Sequence, residues 1–200
     1  MTQKPDGRRT RYEHRRGEIL EAVTQHALDH GVAGLTLRGV AASVGVSHAT
    51  LVHHFATRDD LIAEIVDEVL TRALLPSPER IGAGYDIRDA WAYLRTGDGL
   101  RWARLFISLV GLSLYGDPPF AEALRRSLER RLRAIEAGLL LIGCPPEEAP
   151  AAATTLLARM RGLATDLLIS GDTERVDAAF VMFMEESAAR LALWTARPQG

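Results

Sequence analysis

Residues 35–66 read LTLRGVAASVGVSHATLVHHFATRDDLIAEIV, and this stretch decides the fold. Thr36 can cap a short helix over residues 37–44, whose apolar strip is stopped by Gly45. Ser47 can then cap a second short helix. Two short helices separated by Gly-Val-Ser are typical of a helix-turn-helix, because the tight turn needs the positive φ that glycine tolerates.

The second of these helices has one apolar side and one polar side. Leu51 and Phe55, at i and i+4, can face inward and hold the helix to a small core. A helix in the major groove reads base edges with short polar side chains near its N-terminus. A polar surface on an ordinary helical domain is the alternative interpretation. The polar side chains left for solvent or DNA are those of His48, Thr50, His53 and His54.

The rest of the chain has helical rather than alternating apolar spacing, so the predicted fold class is all-α. An amphipathic helix over residues 12–30 precedes the helix-turn-helix, and a fourth helix starts near Arg58. Prolines and glycines over residues 75–86 indicate a linker. Further helices are predicted over residues 87–95, 98–115, 119–142, 147–169 and 172–195.

These elements predict two domains joined by the linker. A flexible basic arm over residues 1–14 precedes a three-helix, helix-turn-helix DNA-binding domain over residues 15–75. A helical bundle for ligand binding and dimerisation is expected over residues 86–196. Its last two helices carry more apolar surface than one small bundle obviously needs, which predicts a homodimer with two-fold symmetry. The interface residues would include Phe183 and Leu191, although the apolar stripe that holds them could instead lie inside the monomer core.

Charge and cysteine content limit the possible functions. The 24 Lys and Arg nearly balance the 26 Asp and Glu, so any nucleic-acid binding must come from local charge. Residues 1–58 are basic and contain all six histidines. The single cysteine, Cys144, excludes an intramolecular disulfide, and no secretory signal or membrane-spanning run is apparent. We therefore expect a cytoplasmic protein without membrane contact.

Residues 35–66, preceded by a helix of the right length, resemble the DNA-binding region of the TetR family of bacterial transcriptional regulators. The resemblance covers residues 15–70 well, and beyond them it extends only to length and the run of helices. It implies a regulator, and most simply a repressor that a small molecule releases from a near-palindromic double-stranded DNA operator. Val52 departs from the pattern, because the family commonly has tyrosine there.

The resemblance also assigns roles to individual residues. Arg38 would reach a base edge or phosphate, and Arg58 would bind phosphate. Thr36 and Ser47 would cap helices and direct backbone N–H groups at phosphates. The base-facing group would be His48, Ala49 and Thr50, and the residues facing the backbone or flanking bases would be His53 and His54.

The C-terminal half offers candidates for an effector pocket, although aromatic and methionine side chains at helical spacing are more often simply core. Their character favours an apolar or aromatic small molecule. The residues that could line such a pocket are Trp91, Trp102, Phe106, Tyr115, Met160 and Phe183.

A helical-bundle enzyme or metal protein with an incidental helix-turn-helix pattern is the main alternative. The sequence has no nucleotide-binding glycine loop and no nucleophile elbow, so no catalytic residues and no cofactor are predicted. His26 and His30, at i and i+4, with His53 and His54 could suggest zinc. No cysteine or carboxylate completes a ligand signature, so no metal is predicted.

Overall fold

The computed structural model describes residues 7–32, 36–72, 87–115 and 118–196, and every regular element in these ranges is an α-helix. This confirms the all-α prediction. The predicted linker at residues 75–86 lies outside the described residues. The helices are α1 (Gly7–His30), α2 (Leu37–Ser43), α3 (His48–His54), α4 (Arg58–Arg72), α5 (Ile87–Leu94), α6 (Gly97–Leu114), α7 (Pro118–Leu141), α8 (Ala149–Ser170) and α9 (Thr173–Thr195).

Helix α1 begins at Gly7, whereas the sequence predicted a flexible arm over residues 1–14. The prediction of an arm was wrong for residues 7–14. No proline interrupts the segment, and Tyr12 is tied to the helix-turn-helix because its hydroxyl donates a hydrogen bond to the main-chain oxygen of His53 at 3.3 Å. A contact 41 residues away in sequence has no local signal.

The chain divides into two compact units. The first unit is Met1–Leu70 with Leu105–Leu124, and the second is Thr71–Arg104 with Arg125–Gly200. The sequence predicted contiguous domains over residues 15–75 and 86–196. The observed division instead passes through α6 and α7, because a single long helix can contribute buried residues to two units without any break in its periodicity.

The first unit contains the helix-turn-helix and its apolar core. Leu51 of α3 and Phe55 just after it are almost fully buried, as the i, i+4 spacing predicted. Other fully buried side chains here come from α1, α2 and α4 and include Val23, Val40, Leu61, Ile62 and Ile65. This burial fixes which side of α3 remains available to solvent.

The second unit is built around α8 and α9. Asp172 caps α9 by accepting a hydrogen bond from the Arg175 main-chain nitrogen at 3.1 Å. Trp91 of α5 stacks on Phe180 of α9 with ring centroids 4.9 Å apart, and its indole nitrogen donates to Asp177 at 2.9 Å. Within the described residues, no helix is both long and apolar enough to cross a lipid bilayer.

Candidate nucleic-acid interface

The turn between α2 and α3 sets the geometry of the candidate interface. Gly45 has a φ of 70°, in the left-handed region that costs glycine little. The next residue, Val46, closes the turn by donating its main-chain N–H to the Ala41 oxygen at 2.9 Å. This is the helix-turn-helix that the glycine and the two caps predicted.

Both predicted helix caps are present. The Thr36 hydroxyl oxygen accepts from the Gly39 nitrogen at 3.1 Å, and a Cβ at Gly39 would lie 3.1 Å from the same oxygen. Ser47 accepts from the Thr50 nitrogen at 3.0 Å, and the two hydroxyls are 2.7 Å apart. The caps provide acceptors for main-chain N–H groups in the first turn of each helix, which have no acceptor within the helix.

Because the Ser47 cap fixes the start of α3, we expect Ser47→Ala to lower the free energy of unfolding by about 1 kcal/mol. Urea denaturation followed by circular dichroism measures this difference. Ser43→Ala is the matched control, since Ser43 donates to the Val40 carbonyl at 2.8 Å near the end of α2 and caps no N-terminus. An equal decrease in the free energy of unfolding of the two variants would show that the Ser47 cap has no special importance.

The outer side of α3 carries most of the predicted base-facing group. His48 and Ala49 are exposed, and Thr50 is half-buried with its hydroxyl against Ser47. Val52, where the resembling family commonly has tyrosine, is 36% exposed and apolar. Of the remaining predicted DNA contacts around α2, Thr36 and Arg38 are both exposed.

His53 and His54 contact α1 through Tyr12, a residue that belongs to no motif of the sequence. The Tyr12 ring lies 4.7 Å from the His54 ring and 5.4 Å from the His53 ring, centroid to centroid. His53 remains exposed, but His54 is half-buried and its Nδ1 has no hydrogen-bond partner among the described residues. The structure thus turns His54 toward α1.

The environment of His54 also determines its charge. Burial lowers the pKa of His54, and the positive potential of His53, Arg16 and Arg15 lowers the pKa further. The neutral imidazole is therefore favoured, and His54 is a poor candidate for a cationic phosphate contact. The pKa of His54 therefore depends on its burial and on neighbouring positive charges rather than on its position along α3.

Arg16 is a second supporting residue that the sequence reasoning missed. Its guanidinium lies 4.9 Å from the centroid of the Phe55 ring and forms an ion pair with Glu64 of α4. It therefore links α1 to the end of α3 and to α4. Arg16 is far from both Phe55 and Glu64 in sequence, so periodicity could not indicate this contact.

Arg58 lies half-exposed at the start of α4, beside Asp59 with 3.6 Å between Nη1 and Oδ1. The helix start is fixed by a reciprocal cap, in which Thr57 N donates to Asp60 at 3.0 Å and Asp60 N donates to the Thr57 hydroxyl at 3.0 Å. The position of Arg58, the first residue of α4, is therefore fixed by this cap.

The six candidate pocket residues do not share one environment. Trp91, Trp102, Met160 and Phe183 are buried in the second unit, and Phe106 is buried in the first. Tyr115 is 94% exposed and cannot belong to a buried lining within this chain. Phe183 also borders an open groove of about 380 Å³ between α8 and α9, whose other lining residues are Arg159, Gly162, Leu163, Ala179, Met182 and Glu186.

Residues 19–65 match the family model described as bacterial regulatory proteins, tetR family, and this segment contains α2, α3 and the turn between them. Residues 19–65 of the chain are a TetR-family segment. The resemblance read from residues 35–66 is therefore confirmed. The TetR family is non-enzymatic, which agrees with the prediction that the chain is not an enzyme.

Sequence similarity to individual curated regulators covers a limited part of the chain. The chain is 33% identical over 52 residues to the HTH-type transcriptional repressor KstR2 of Mycobacterium tuberculosis, a match that covers 26% of each sequence. The matched part is thus about a quarter of that curated relative. Its name describes KstR2 as a repressor with a helix-turn-helix.

Solved structures share the fold over most of the chain. A transcriptional regulator from Rhodococcus sp. Rha1 is 28% identical with a TM-score of 0.61, over 78% of this chain and 84% of that one. The multidrug binding protein EbrR, complexed with proflavin, is 22% identical with a TM-score of 0.57, over 88% of this chain and 99% of that one. At 22% identity, the match to EbrR shows a shared fold and nothing more.

The metal alternative finds no support in the part of the chain that the structure describes. There, no group of three or more His, Cys, Asp or Glu side chains is placed to hold a metal ion. His26 and His30 stack on each other with centroids 4.4 Å apart, and the His30 Nδ1 lies 3.0 Å from the His26 carbonyl oxygen. These histidines form a local helix-end contact.

Proposed function

We propose that this chain is a sequence-specific DNA-binding transcriptional regulator, and that it acts as a repressor. The observation that supports this most directly is the polar outer side of α3. That side is presented by a capped helix whose inner residues, Leu51 and Phe55, are buried. It lies inside the segment that matches the TetR family model.

In the proposed complex, α3 enters the major groove of double-stranded DNA. His48 and Ala49 face base edges, and Thr50 contributes its methyl group and a hydroxyl already oriented by Ser47. Arg38 and Arg58 contact phosphate or flanking bases, together with His53. The capped starts of α2 and α3 direct main-chain N–H groups toward phosphate oxygens.

We further propose that two copies of the chain associate through α8 and α9. Part of the apolar stripe of α9, including Phe180 and Phe183, is buried within the chain itself. A different set of apolar side chains on the same helices is exposed: Ile169, Val181, Met182 and Leu193. A second copy covers this surface by two-fold symmetry and places two recognition helices on a near-palindromic operator.

A small-molecule effector that releases the operator completes the proposal. Buried Trp91, Trp102 and Met160 of the second unit favour an apolar or aromatic molecule. The similar protein EbrR, whose structure contains proflavin, supports an aromatic ligand by analogy. Release requires that the effector bind better to a conformation that fits DNA poorly.

Selection from random double-stranded DNA, followed by fluorescence anisotropy with the enriched sequence, tests DNA binding. We expect a near-palindromic consensus that binds about 10³-fold or more tightly than scrambled DNA at physiological salt. Equal affinity for the enriched and scrambled sequences would show that the chain is not a sequence-specific regulator.

Arg58→Ala should weaken binding to specific and scrambled DNA alike, because a phosphate contact carries no sequence information. The slope of log K against log salt should become shallower by about 1 per lost contact. Anisotropy titrations at several salt concentrations measure this slope. Arg133→Ala, an exposed arginine of α7, is the control that should leave the slope unchanged. A loss of affinity for the specific operator alone, with unchanged affinity for scrambled DNA, would contradict a phosphate contact by Arg58.

A further inference from the structure

The C-terminal end of α3 is held by a residue of another helix. The last main-chain carbonyl groups of an α-helix have no donor within the helix. The carbonyl oxygen of His53, in the last turn of α3, accepts a hydrogen bond from the Tyr12 hydroxyl of α1 at 3.3 Å. Ser47 fixes the start of α3 and Tyr12 fixes its end, so side chains from outside the helix hold both ends.

The Tyr12 ring also contacts both histidines at this end of α3. It approaches the His53 ring edge-on, with centroids 5.4 Å apart and planes at 89°, and its centroid lies 4.7 Å from that of His54. The two histidine rings are 5.3 Å apart, again in an edge-to-face arrangement. Because aromatic pairs prefer such geometries, two ring neighbours restrict the orientation of the His53 side chain.

Tyr12 is itself secured by the next turn of α1. Arg16 lies four residues later on the same face of the helix. Its guanidinium is 4.9 Å from the centroid of the Phe55 ring and forms an ion pair with Glu64 of α4. Two successive turns of α1 therefore contact the segment where α3 ends, and the Tyr12 ring is presented from a fixed helix.

The two histidines differ in what they can contact outside the chain. His54 is half-buried, and its Nδ1 has no hydrogen-bond partner among the described residues. His53 is exposed and lies at i+4 from Ala49 and i+1 from Val52, both of which are also exposed. Residues four apart share one face of a helix. His53 therefore belongs to the same outer face of α3 as the predicted base-facing Ala49.

We propose that Tyr12 is a positioning residue for DNA recognition, which holds the His53 imidazole where it hydrogen-bonds a base edge. This inference rests on the proposed DNA binding. A side chain that is already oriented loses less conformational freedom on binding, so its contact discriminates more strongly between bases. Five residues span about 7.5 Å of helix, roughly the rise of two base pairs. His53 thus contacts a different base pair from His48.

The test compares variants of the full chain by fluorescence anisotropy with a panel of operators, each substituted at one position. His53→Ala should reduce discrimination at one base pair about tenfold. Tyr12→Leu should reduce discrimination at the same base pair, and Tyr12→Phe, which keeps the ring, should reduce it less. The Tyr12→Leu, His53→Ala double variant should bind no more weakly than His53→Ala, because Tyr12 acts through the histidine.

Tyr93→Leu is the matched control, since Tyr93 of α5 is 39% exposed and Tyr12 is 38% exposed. This variant should leave discrimination unchanged at every position. A merely structural role for Tyr12 would weaken binding to all operators equally, and the effects of Tyr12→Leu and His53→Ala would then add. Either result would overturn the positioning role.

Nuclear magnetic resonance of the imidazole groups measures the orientation of His53 without DNA. The ring current of Tyr12 should displace the His53 ring resonances, and Tyr12→Leu should remove this displacement whereas Tyr12→Phe retains it. Unchanged resonances in Tyr12→Leu would also overturn the inference. If the wild-type chain selects no consensus operator, the regulator proposal and this inference are both wrong. If it selects one and Tyr12→Leu discriminates as well as the wild type, only this inference is wrong.

Discussion

Met182→Glu should convert the chain into a folded monomer that binds its operator at least about 100-fold more weakly. Met182 is 62% exposed on α9 and borders the groove between α8 and α9. A carboxylate there would have to be buried against a second copy without a partner, which an interface does not tolerate. Two linked recognition helices bind a palindrome with an avidity that a single helix lacks.

Analytical ultracentrifugation at micromolar concentration and operator anisotropy measure the two parts of this prediction. Ala137→Glu, which places the same charge at an exposed position of α7, is the control and should remain dimeric. Circular dichroism must show that the monomeric variant is still helical. If Met182→Glu remains dimeric, the two copies associate through another surface.

The choice of Met182 illustrates what the sequence could not decide. The apolar stripe of α9 suggested Phe183 and Leu191 as interface residues, with burial inside the monomer left open. Phe183 is 6% exposed, so a charge at this position would damage the core of the second unit as well as any interface. Periodicity identifies an apolar face, but only packing shows what covers that face.

The boundaries of the helices that begin with a capping side chain could be predicted because their signals are local. Thr36, Ser47 and Asp172 each accept a hydrogen bond from a main-chain nitrogen three residues later, and Gly45 takes the positive φ of the turn. Each of these contacts joins residues that are only a few positions apart in the sequence. The family resemblance rested on the same segment and was confirmed for that reason.

The environments of His54 and Arg131 could not be predicted, because they depend on distant residues. Tyr12 of α1 contacts the third helix, and the positive charge of Arg161 on α8 contributes to the lowered pKa of Arg131. In the sequence, each of these residues follows an ordinary polar pattern. Only tertiary packing distinguishes a solvated histidine or arginine from one whose charge is costly.

His48→Ala should remove discrimination at one base pair of each operator half-site, costing about 1–3 kcal/mol per affected contact while leaving affinity for scrambled DNA nearly unchanged. The reason is that His48 is exposed in the first turn of α3, where side chains reach base edges, whereas His54 is turned toward Tyr12. Anisotropy with a panel of operators, each substituted at one position, measures the loss. His30→Ala, an exposed histidine at the end of α1, is the control. Equal weakening on every operator and on scrambled DNA would make His48 a backbone contact and leave base reading to Ala49 and Thr50.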